Sequence, residues 1–333
     1  MWSPLASASL VFLILYFILF IVLSALFILR KVPWKSRWLV LLLHVLVRLA
    51  SQACGLSFGV IGYRNINVLV AYYVLGAEGY FTLVVCTARY LIAWQRNHWN
   101  GYSWMEPVDQ SRGKDRRSAF LQRLKGMFRW KTSGDRHPSN RWIILTDWLL
   151  VAANAIIIAG GSLSSGAYTD KTLSPSQVRS KLEASKAMRG AGQAVFLTIN
   201  VALLVCIVVT MRQHVQGRYE DADNHATRTS TKEERHQSAR RPWYGHLTLL
   251  LLATAWPFLV VRGVFGVLQA VLPDLNYFNS EVYDANGLTQ QFVIEETCMV
   301  TMMEFISAAI LTSTYWASRS DPDWRQQATM VSA

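Results

Sequence analysis

Four ionisable side chains stand near the middle of long apolar runs, namely Arg48, Glu78, Arg262 and Glu304. Placing each in hydrocarbon costs about 2.5 to 3.5 kcal/mol, so each needs a partner or a function. Two are cationic and two are anionic, and pairing between neighbouring helices would make all four tolerable. Charge pairing is therefore the first interpretation, with Glu304 the first candidate partner of Arg262 and Glu78 the second.

A carboxyl group left without a cationic partner could instead perform acid chemistry. Burial disfavours the charged form of a carboxylic acid, so an acid that faces a water-poor cavity can donate a proton at neutral pH. Glu78 lies between Gly76 and Gly79, where a backbone or a ligand could approach closely. Glu78 and Glu304 are the candidate catalytic residues.

The stretch QFVIEETCMVTMMEF, residues 291–305, places two acids and two methionines within about one face of a helix. A polarizable face beside acidic groups indicates a small-molecule pocket, and core packing around one satisfied acid is the alternative. The candidate substrate-binding residues are Glu296, Met299, Met303 and Trp256.

Further polar residues in the apolar runs favour structural roles. Arg89 and Asp147 lie near the same ends of neighbouring runs, so they join Arg48 and Arg262 as candidates for structural ion pairs. His44 precedes Arg48 by four residues on one helical face and could join that network as a hydrogen-bond partner. No metal site is expected, because all four cysteines lie inside apolar runs.

Seven apolar runs must position these residues. A run of about 20 residues crosses about 30 Å of hydrocarbon at 1.5 Å per residue. The predicted fold class is therefore an all-α polytopic membrane protein with seven transmembrane helices. The runs cover about 5–29, 38–61, 67–94, 142–163, 191–211, 247–272 and 289–316.

The predicted organisation has four parts. Residues 1–94 hold helices 1–3, residues 95–141 form a basic cytoplasmic loop, residues 142–316 hold helices 4–7, and residues 317–333 form a cytoplasmic tail. A mobile cytoplasmic loop is expected at 212–243, since residues 219–241 are polar and poor in hydrophobic side chains. Pro257 is expected to kink the sixth helix, because it lacks the amide hydrogen that helix bonding requires.

The basic residues of the loops predict the orientation. Loops 30–37, 95–141 and 212–243, with the tail, carry 24 Lys and Arg, whereas the alternate loops carry 6. Basic residues accumulate on the cytoplasmic side, which places the N-terminus outside or in a lumen and the C-terminus in the cytosol. Six tryptophans lie at the predicted cytoplasmic span ends, where indoles favour the headgroups: Trp34, Trp38, Trp94, Trp142, Trp243 and Trp316.

The net charge of +12 lies mostly in these cytoplasmic segments, so anionic lipid is the expected partner and nucleic acid is not. Residues 113–131, GKDRRSAFLQRLKGMFRWK, alternate basic and apolar side chains at helical spacing. They predict an amphipathic helix on the inner leaflet, and a solvated loop or a calmodulin-like partner are the alternatives.

Several motifs carry a resemblance. PFLVVRGVFGVL at 257–268, with Tyr277, Phe278 and Asn279 before the last span, resembles fungal seven-span integral membrane proteins known only as a domain of unknown function. RLASQACGL at 48–56 and VLGAEGYFTLVV at 74–85 extend the similarity to about two thirds of the chain. The resemblance implies a fungal source and a seven-helix fold, and it carries no activity with it.

Two looser resemblances suggest functions. The architecture is similar to that of fungal membrane-bound terpene cyclases, which use carboxylic acids in the membrane to protonate an epoxide or alkene. Trp256 and Pro257 resemble the sixth-helix pair of rhodopsin-like receptors, but Ala88 stands where those receptors have an acid before the arginine, and the last span has no NPxxY.

The favoured function is the handling of a lipophilic small molecule inside the helix bundle, in a fungal specialised-metabolite pathway of the terpenoid or polyketide-hybrid kind. Acid-catalysed cyclisation or isomerisation is the chemistry that Glu78 and Glu304 suggest. A transporter or lipid-handling protein and a seven-span receptor are the alternatives. We expect no cofactor, association with other membrane-bound pathway enzymes, and a location in the endoplasmic reticulum or plasma membrane.

Overall fold

The computed structural model describes residues 3–34, 36–99, 103–105, 139–169, 172, 174–228, 247–277, 279–284 and 287–319. Within these ranges the protein is all-α, apart from one pair of two-residue strands. The predicted amphipathic helix at 113–131 and residues 320–333 of the predicted tail at 317–333 lie outside the described residues, so the structure does not bear on them. Residues 317–319 continue the last helix.

The described helices match the predicted spans closely in position. The helices are α1 Pro4–Ile28, α2 Arg37–Ile61, α3 Ile66–His98, α4 Ser139–Thr169, α5 Pro175–Arg228, α6 Leu247–Val271, α7 Gln290–Glu296 and α8 Met302–Arg319, with a π-helical turn, Thr297–Thr301, joining α7 to α8. The strands β1 Tyr283–Asp284 and β2 Gly287–Leu288 pair antiparallel, with Tyr283 opposite Leu288.

Five helices, α1, α2, α3, α5 and α6, are long and apolar enough to cross a membrane. Their outward faces carry large apolar side chains, for example Val11, Ile14 and Phe17 on α1, which are each more than half exposed. An exposed apolar surface of this extent is stable in lipid and unfavourable in water. The protein is therefore an integral membrane protein of the helical class.

Local sequence signals explain where several helices begin and end. Ser3 caps α1, since its Oγ accepts a hydrogen bond from the Ala6 amide at 3.2 Å, and Pro4 occupies the first turn, where it needs no amide hydrogen. Gly62 ends α2 with a φ of 67°, a conformation that favours glycine. Asn65 then caps α3 through its side-chain oxygen, which accepts from the Asn67 amide at 3.2 Å.

Helix α3 lies at the centre of the bundle. It packs along α2 and also contacts α4, α5, α6 and α8. The other close pairs are α1 with α2, α4 with α5, α5 with α6, and α6 with α8. Side chains on different faces of α3 can therefore reach almost every other helix.

We call the hairpin end that end of the bundle where α2 leads into α3 and where α6 leads into α7 through β1 and β2. A small apolar cluster ties this end together, with Leu5 of α1, Phe58 of α2 and Leu69 of α3 packed against Leu288 and Phe292. The start of α1 and the hairpin thus lie at the same end as the start of α3.

The structure differs from the sequence interpretation in the extent of α5. Helix α5 begins at Pro175 and continues to Arg228, so it takes up much of the predicted loop 164–190 and the first part of the predicted mobile linker. Good helix formers in these polar stretches extend a helix that the apolar stretch stabilises. Of the tryptophans predicted at the headgroups, Trp38 and Trp94 are buried against neighbouring helices. Helix α6 is continuous through Pro257.

Candidate functional site

Glu304 lies between two arginines from different helices. Its Oε1 accepts a hydrogen bond from Arg262 Nε at 2.6 Å, and its Oε2 is in ion-pair contact with Arg48 Nε at 3.1 Å. The Glu304 side chain is 0% exposed, and the two arginine side chains are 5% exposed or less. We call Arg48, Arg262 and Glu304 the buried triad.

Aromatic rings and a hydroxyl complete the surroundings of the two guanidiniums. Arg48 lies over the Tyr16 ring at 5.8 Å and donates through Nη2 to Thr301 Oγ1 at 3.3 Å. Arg262 lies over the Tyr80 ring at 5.2 Å. Such contacts lower the cost of holding a guanidinium away from water. Even so, Arg262 Nη1 is buried with no hydrogen-bond partner among the described residues.

Two glycines give the triad its space. A Cβ at position 79 would lie 2.5 Å from Glu304 Oε2 and 2.8 Å from Arg48 Cδ, so α3 can approach the triad only with glycine there. A Cβ at position 266 would lie 2.6 Å from Gln193 Oε1 and 2.9 Å from Arg262 Nη1. The sequence interpretation had assigned Gly76 and Gly79 to the close approach of a backbone or a ligand beside Glu78, and the structure places the triad against Gly79.

A cavity of about 40 Å³ lies beside the triad. At roughly 10 to 15 Å³ per water, it has room for about three water molecules or one small polar head group. Its polar lining includes Arg48, Arg189, Arg262, Gln193, Gln269, Glu296, Tyr72, Tyr73 and Tyr277, and its apolar lining includes Ala77, Ile157, Ala270 and Val300.

Glu296 is the carboxyl group of this cavity. The residue is 7% exposed, and its Oε2 has no hydrogen-bond partner among the described residues. The Tyr72 hydroxyl lies beside the carboxyl group, and the guanidiniums of Arg48 and Arg262 act on it electrostatically. The sequence had placed Glu296 among the substrate-binding candidates, and the structure puts it on the cavity wall.

The cavity extends from the triad toward the hairpin end, where aromatic contacts surround it. Tyr73 and Tyr277 stack with their ring centroids 4.1 Å apart. Arg189 lies over the Tyr277 ring at 5.2 Å and donates through Nη2 to Asn276 Oδ1 at 3.2 Å. Tyr277 of the α6–α7 connection, Arg189 of α5 and Tyr73 of α3 therefore border the cavity at this end.

The π turn explains why both glutamates of the last span face inward. In a regular α-helix Glu296 and Glu304 would point about 80° apart, because each residue advances about 100°. One extra residue in a π turn brings the two directions to within about 20°. The turn also separates Met299 from this face, so that Met299 is 41% exposed on the outside of the bundle.

Glu78 lies away from the cavity. Its Oε1 accepts a hydrogen bond from Asn154 Nδ2 of α4 at 2.7 Å, and the residue is half-buried. Neither arginine of the triad is its ion-pair partner, since both contact Glu304. The two candidate catalytic glutamates therefore lie in different surroundings, with an amide beside Glu78 and two guanidiniums beside Glu304.

The other predicted site residues lie outside the cavity lining. Met303 is half-buried, and Trp256 donates through Nε1 to the carbonyl oxygen of Asn200 at 2.9 Å. His44 makes a 2.9 Å hydrogen bond to Thr82 Oγ1, the kind of role expected for it. Arg89 is exposed, and the side chain of Asp147, its predicted partner, lies outside the described residues.

Sequence reasoning missed most of the polar lining. Arg189, Gln193 and Gln269 are each less than 9% exposed, and Arg189 had been assigned to a loop. Extending the fifth helix back to Pro175 would have placed Arg189 and Gln193 four residues apart on one helical face. The tyrosines gave no signal, since aromatic residues in apolar helices usually serve packing.

This arrangement can hold an anionic or strongly accepting oxygen group. The guanidinium nitrogens and tyrosine hydroxyls around the cavity are donors, and hydrogen bonds from a guanidinium to an anionic oxygen are among the strong ones. In the described residues we find no group of three or more metal-ligating side chains, and all four cysteines are free.

Comparison with known proteins adds no further guide to the chemistry. No protein-family model matches the chain, and no curated protein or solved structure matches it at a significant level.

Proposed function

We propose that this membrane protein binds a small lipophilic molecule through an oxygen-anion head group, such as a carboxylate, phosphate or sulfonate, in the cavity beside the buried triad. One observation carries the proposal. Three guanidiniums line the cavity, and one of their nitrogens, Arg262 Nη1, is buried with no hydrogen-bond partner among the described residues. A buried donor without a partner is costly, and an oxygen anion would satisfy it.

The size and remaining lining of the cavity fit a head group attached to a hydrocarbon. About 40 Å³ accommodates the polar group alone. The apolar side chains of Ala77, Ile157, Ala270 and Val300 then offer contacts to the attached carbon chain. A ligand with both parts is amphiphilic, in agreement with the lipophilic small molecule that the sequence suggests.

The charges in the cavity support binding more strongly than acid-catalysed cyclisation. A cyclase of the kind proposed from the sequence needs a neutral acid and surroundings that stabilise a carbocation. Glu304 has a guanidinium against each of its oxygens and is not part of the cavity lining, so it does not face a substrate as a free acid. The same guanidiniums would repel a developing carbocation in a medium that screens charge weakly. A binding or transport protein is therefore the better proposal.

We extend the proposal to the whole chain with seven membrane spans, α1 to α6 and the α7–α8 unit, and with the N-terminus outside or lumenal. The distribution of basic residues supports this orientation. The hairpin end, and with it the covered side of the cavity, would then face away from the cytosol. Contact of residues 113–131 with anionic lipid, a fungal source, a specialised-metabolite pathway and its membrane-bound partner enzymes stay predictions.

A ligand series that differs only in head-group charge tests the proposal. Protein in phosphatidylcholine nanodiscs is incubated with radiolabelled decanesulfonate at micromolar concentration, and empty nanodiscs give the background. We expect saturable binding, competition by unlabelled decanesulfonate, and at least tenfold weaker competition by decanol and decyltrimethylammonium. Equal competition by all three would show that hydrocarbon alone drives binding, and would overturn the assignment of an anion site.

A matched pair of arginine variants locates the binding. Arg262→Gln should reduce decanesulfonate affinity at least tenfold, whereas Arg212→Gln, which changes an exposed arginine far from the cavity, should leave it unchanged. Binding that both variants retain in full would place the site elsewhere.

Nanodiscs that contain phosphatidylglycerol show whether membrane lipid is the natural anion, because that lipid would then compete with decanesulfonate.

A further inference from the structure

Five charged groups from five helical elements line the cavity or lie beside it. Arg48, Arg189 and Arg262 are cationic, and Glu304 and Glu296 are acidic. With Glu296 ionised the five charges sum to +1, and with Glu296 protonated they sum to +2. The net charge that an entering anion meets therefore depends on one proton.

Glu296 differs from Glu304 in the way it is held. Each oxygen of Glu304 lies within ion-pair distance of a guanidinium nitrogen, whereas Glu296 forms no ion pair among the described residues and its buried Oε2 has no hydrogen-bond partner there. Glu296 also lies on the cavity wall, where an entering ligand would meet it. Of the two carboxyl groups, Glu296 is the one that can gain a proton without breaking an ion pair.

The ionisable groups around Glu296 come from several other parts of the chain. Helix α2 contributes Arg48, α6 contributes Arg262, and α8 contributes Glu304. Helix α3 contributes Tyr72 and Tyr73, and at the hairpin end Arg189 of α5 and Tyr277 line the same cavity. Glu296 is the carboxylic acid among the described residues of the cavity lining.

We propose that the anion binds together with one proton, which Glu296 takes up. This inference rests on the proposed anion site and adds a regulation to it. An anion that enters beside ionised Glu296 would place two negative groups close together in a weakly screening interior. Protonation of Glu296 removes that repulsion and returns the net charge of the cavity to its value before the anion entered. The protonated carboxyl group also has an O–H that can donate to the ligand.

The proton balance is simple. A proton from water adds to one oxygen of the Glu296 carboxylate when the anion enters, and it returns to water when the anion leaves. The bound anion and the proton on Glu296 would lie in one cavity beside the arginines. Each would therefore bind more tightly when the other is present. The protein would therefore bind its ligand more tightly at acidic pH.

The pH dependence of decanesulfonate binding tests this proposal. The sulfonate stays ionised at every pH used, so any change comes from the protein. Between pH 5 and 8.5 we expect an interval in which the dissociation constant rises about tenfold per pH unit, as linkage to one proton requires. Glu296→Gln should bind as tightly as the parent protein does at low pH and should lose this dependence.

Glu295→Gln is the matched control, since Glu295 accepts a hydrogen bond from Gln291 at 3.0 Å outside the cavity and is not in its lining. This variant should keep the full pH dependence. A second measurement needs no variant: adding decanesulfonate to weakly buffered parent protein above pH 7 should remove about one proton per bound anion from solution, as read by a pH dye.

The outcomes separate the two proposals. Absence of decanesulfonate binding at every pH would overturn the proposed function. Binding of the same strength from pH 5 to 8.5, without proton uptake, would overturn the role of Glu296 and leave the anion site standing. Proton-linked binding that Glu296→Gln retains would assign the proton to another group and would likewise overturn the inference.

Discussion

At the residue scale, the sharing of one carboxylate by two guanidiniums explains how the bundle tolerates its central charges. Arg48 and Arg262 each contact a different oxygen of Glu304, so one carboxylate lies within ion-pair distance of both guanidiniums. Removing one partner from a buried ion pair leaves an uncompensated charge, which is more costly than the pair itself. The three residues are therefore unequal in their expected contribution to stability.

Glu304→Gln should destabilise the protein more than either arginine variant. It leaves two guanidiniums without an anion, at a cost of about 3 to 5 kcal/mol or more. Arg262→Gln leaves the Arg48–Glu304 pair intact, so its cost should be smaller. The melting temperature of each nanodisc-embedded variant gives the order of destabilisation. A larger loss for Arg262→Gln than for Glu304→Gln would contradict the shared-carboxylate interpretation.

At the element scale, two departures from regular packing bring the charged groups together. The π turn rotates α7 relative to α8 so that Glu296 and Glu304 face the same interior. Gly79 lets α3 lie against the triad at a distance that any side chain would prevent. Helix geometry therefore positions the two acids. The absence of a side chain at Gly79 sets how closely α3 approaches the buried triad.

Gly79→Ala should lower stability by about 1 to 3 kcal/mol, the usual cost of overpacking an interior. Its new methyl group would lie 2.5 Å from Glu304 Oε2. Gly161→Ala is the control, because nothing lies within 4 Å of its added carbon and alanine favours a helix by about 1 kcal/mol. Melting temperatures should fall for the first variant and not for the second; equal melting temperatures would mean that α3 does not need the close approach.

At the scale of the whole molecule, the two ends of the helix bundle differ in what they hold. The hairpin end holds the connection over the cavity. The opposite end holds a buried aromatic group, in which Trp38 packs edge-on to Tyr90 and Tyr315 at 5.0 and 5.7 Å. The proposed orientation places the hairpin end outside or in a lumen, so the ligand and the proton would enter from that side.

Cysteine labelling in sealed microsomes tests this orientation. Ser174→Cys introduces an exposed thiol before α5, and Arg212→Cys introduces one beyond the apolar stretch of the same helix. A membrane-impermeant maleimide should label Arg212→Cys in sealed vesicles and Ser174→Cys only after detergent is added. The native cysteines are buried or half-buried, so the background should be low. The reverse pattern would invert the proposed topology.

The sequence by itself was sufficient for the helical membrane class and for the positions of most helices. A membrane-spanning helix can be recognised from one local stretch of sequence, because lipid requires each span to satisfy its own backbone hydrogen bonds. The central charges were equally visible, since Arg48, Arg262 and Glu304 stand out against apolar neighbours. The preference for Glu304 as the partner of Arg262 followed from charge balance.

Only the tertiary structure decided which of those charged groups contact each other. Glu304 serves both arginines, which leaves Glu78 with Asn154 and Glu296 on the cavity wall. These outcomes depend on distances between helices that are far apart in sequence, and on a π turn that changes the facing of Met299 and Glu304. A pattern of residue types along one chain does not contain such distances, because packing of whole helices sets them.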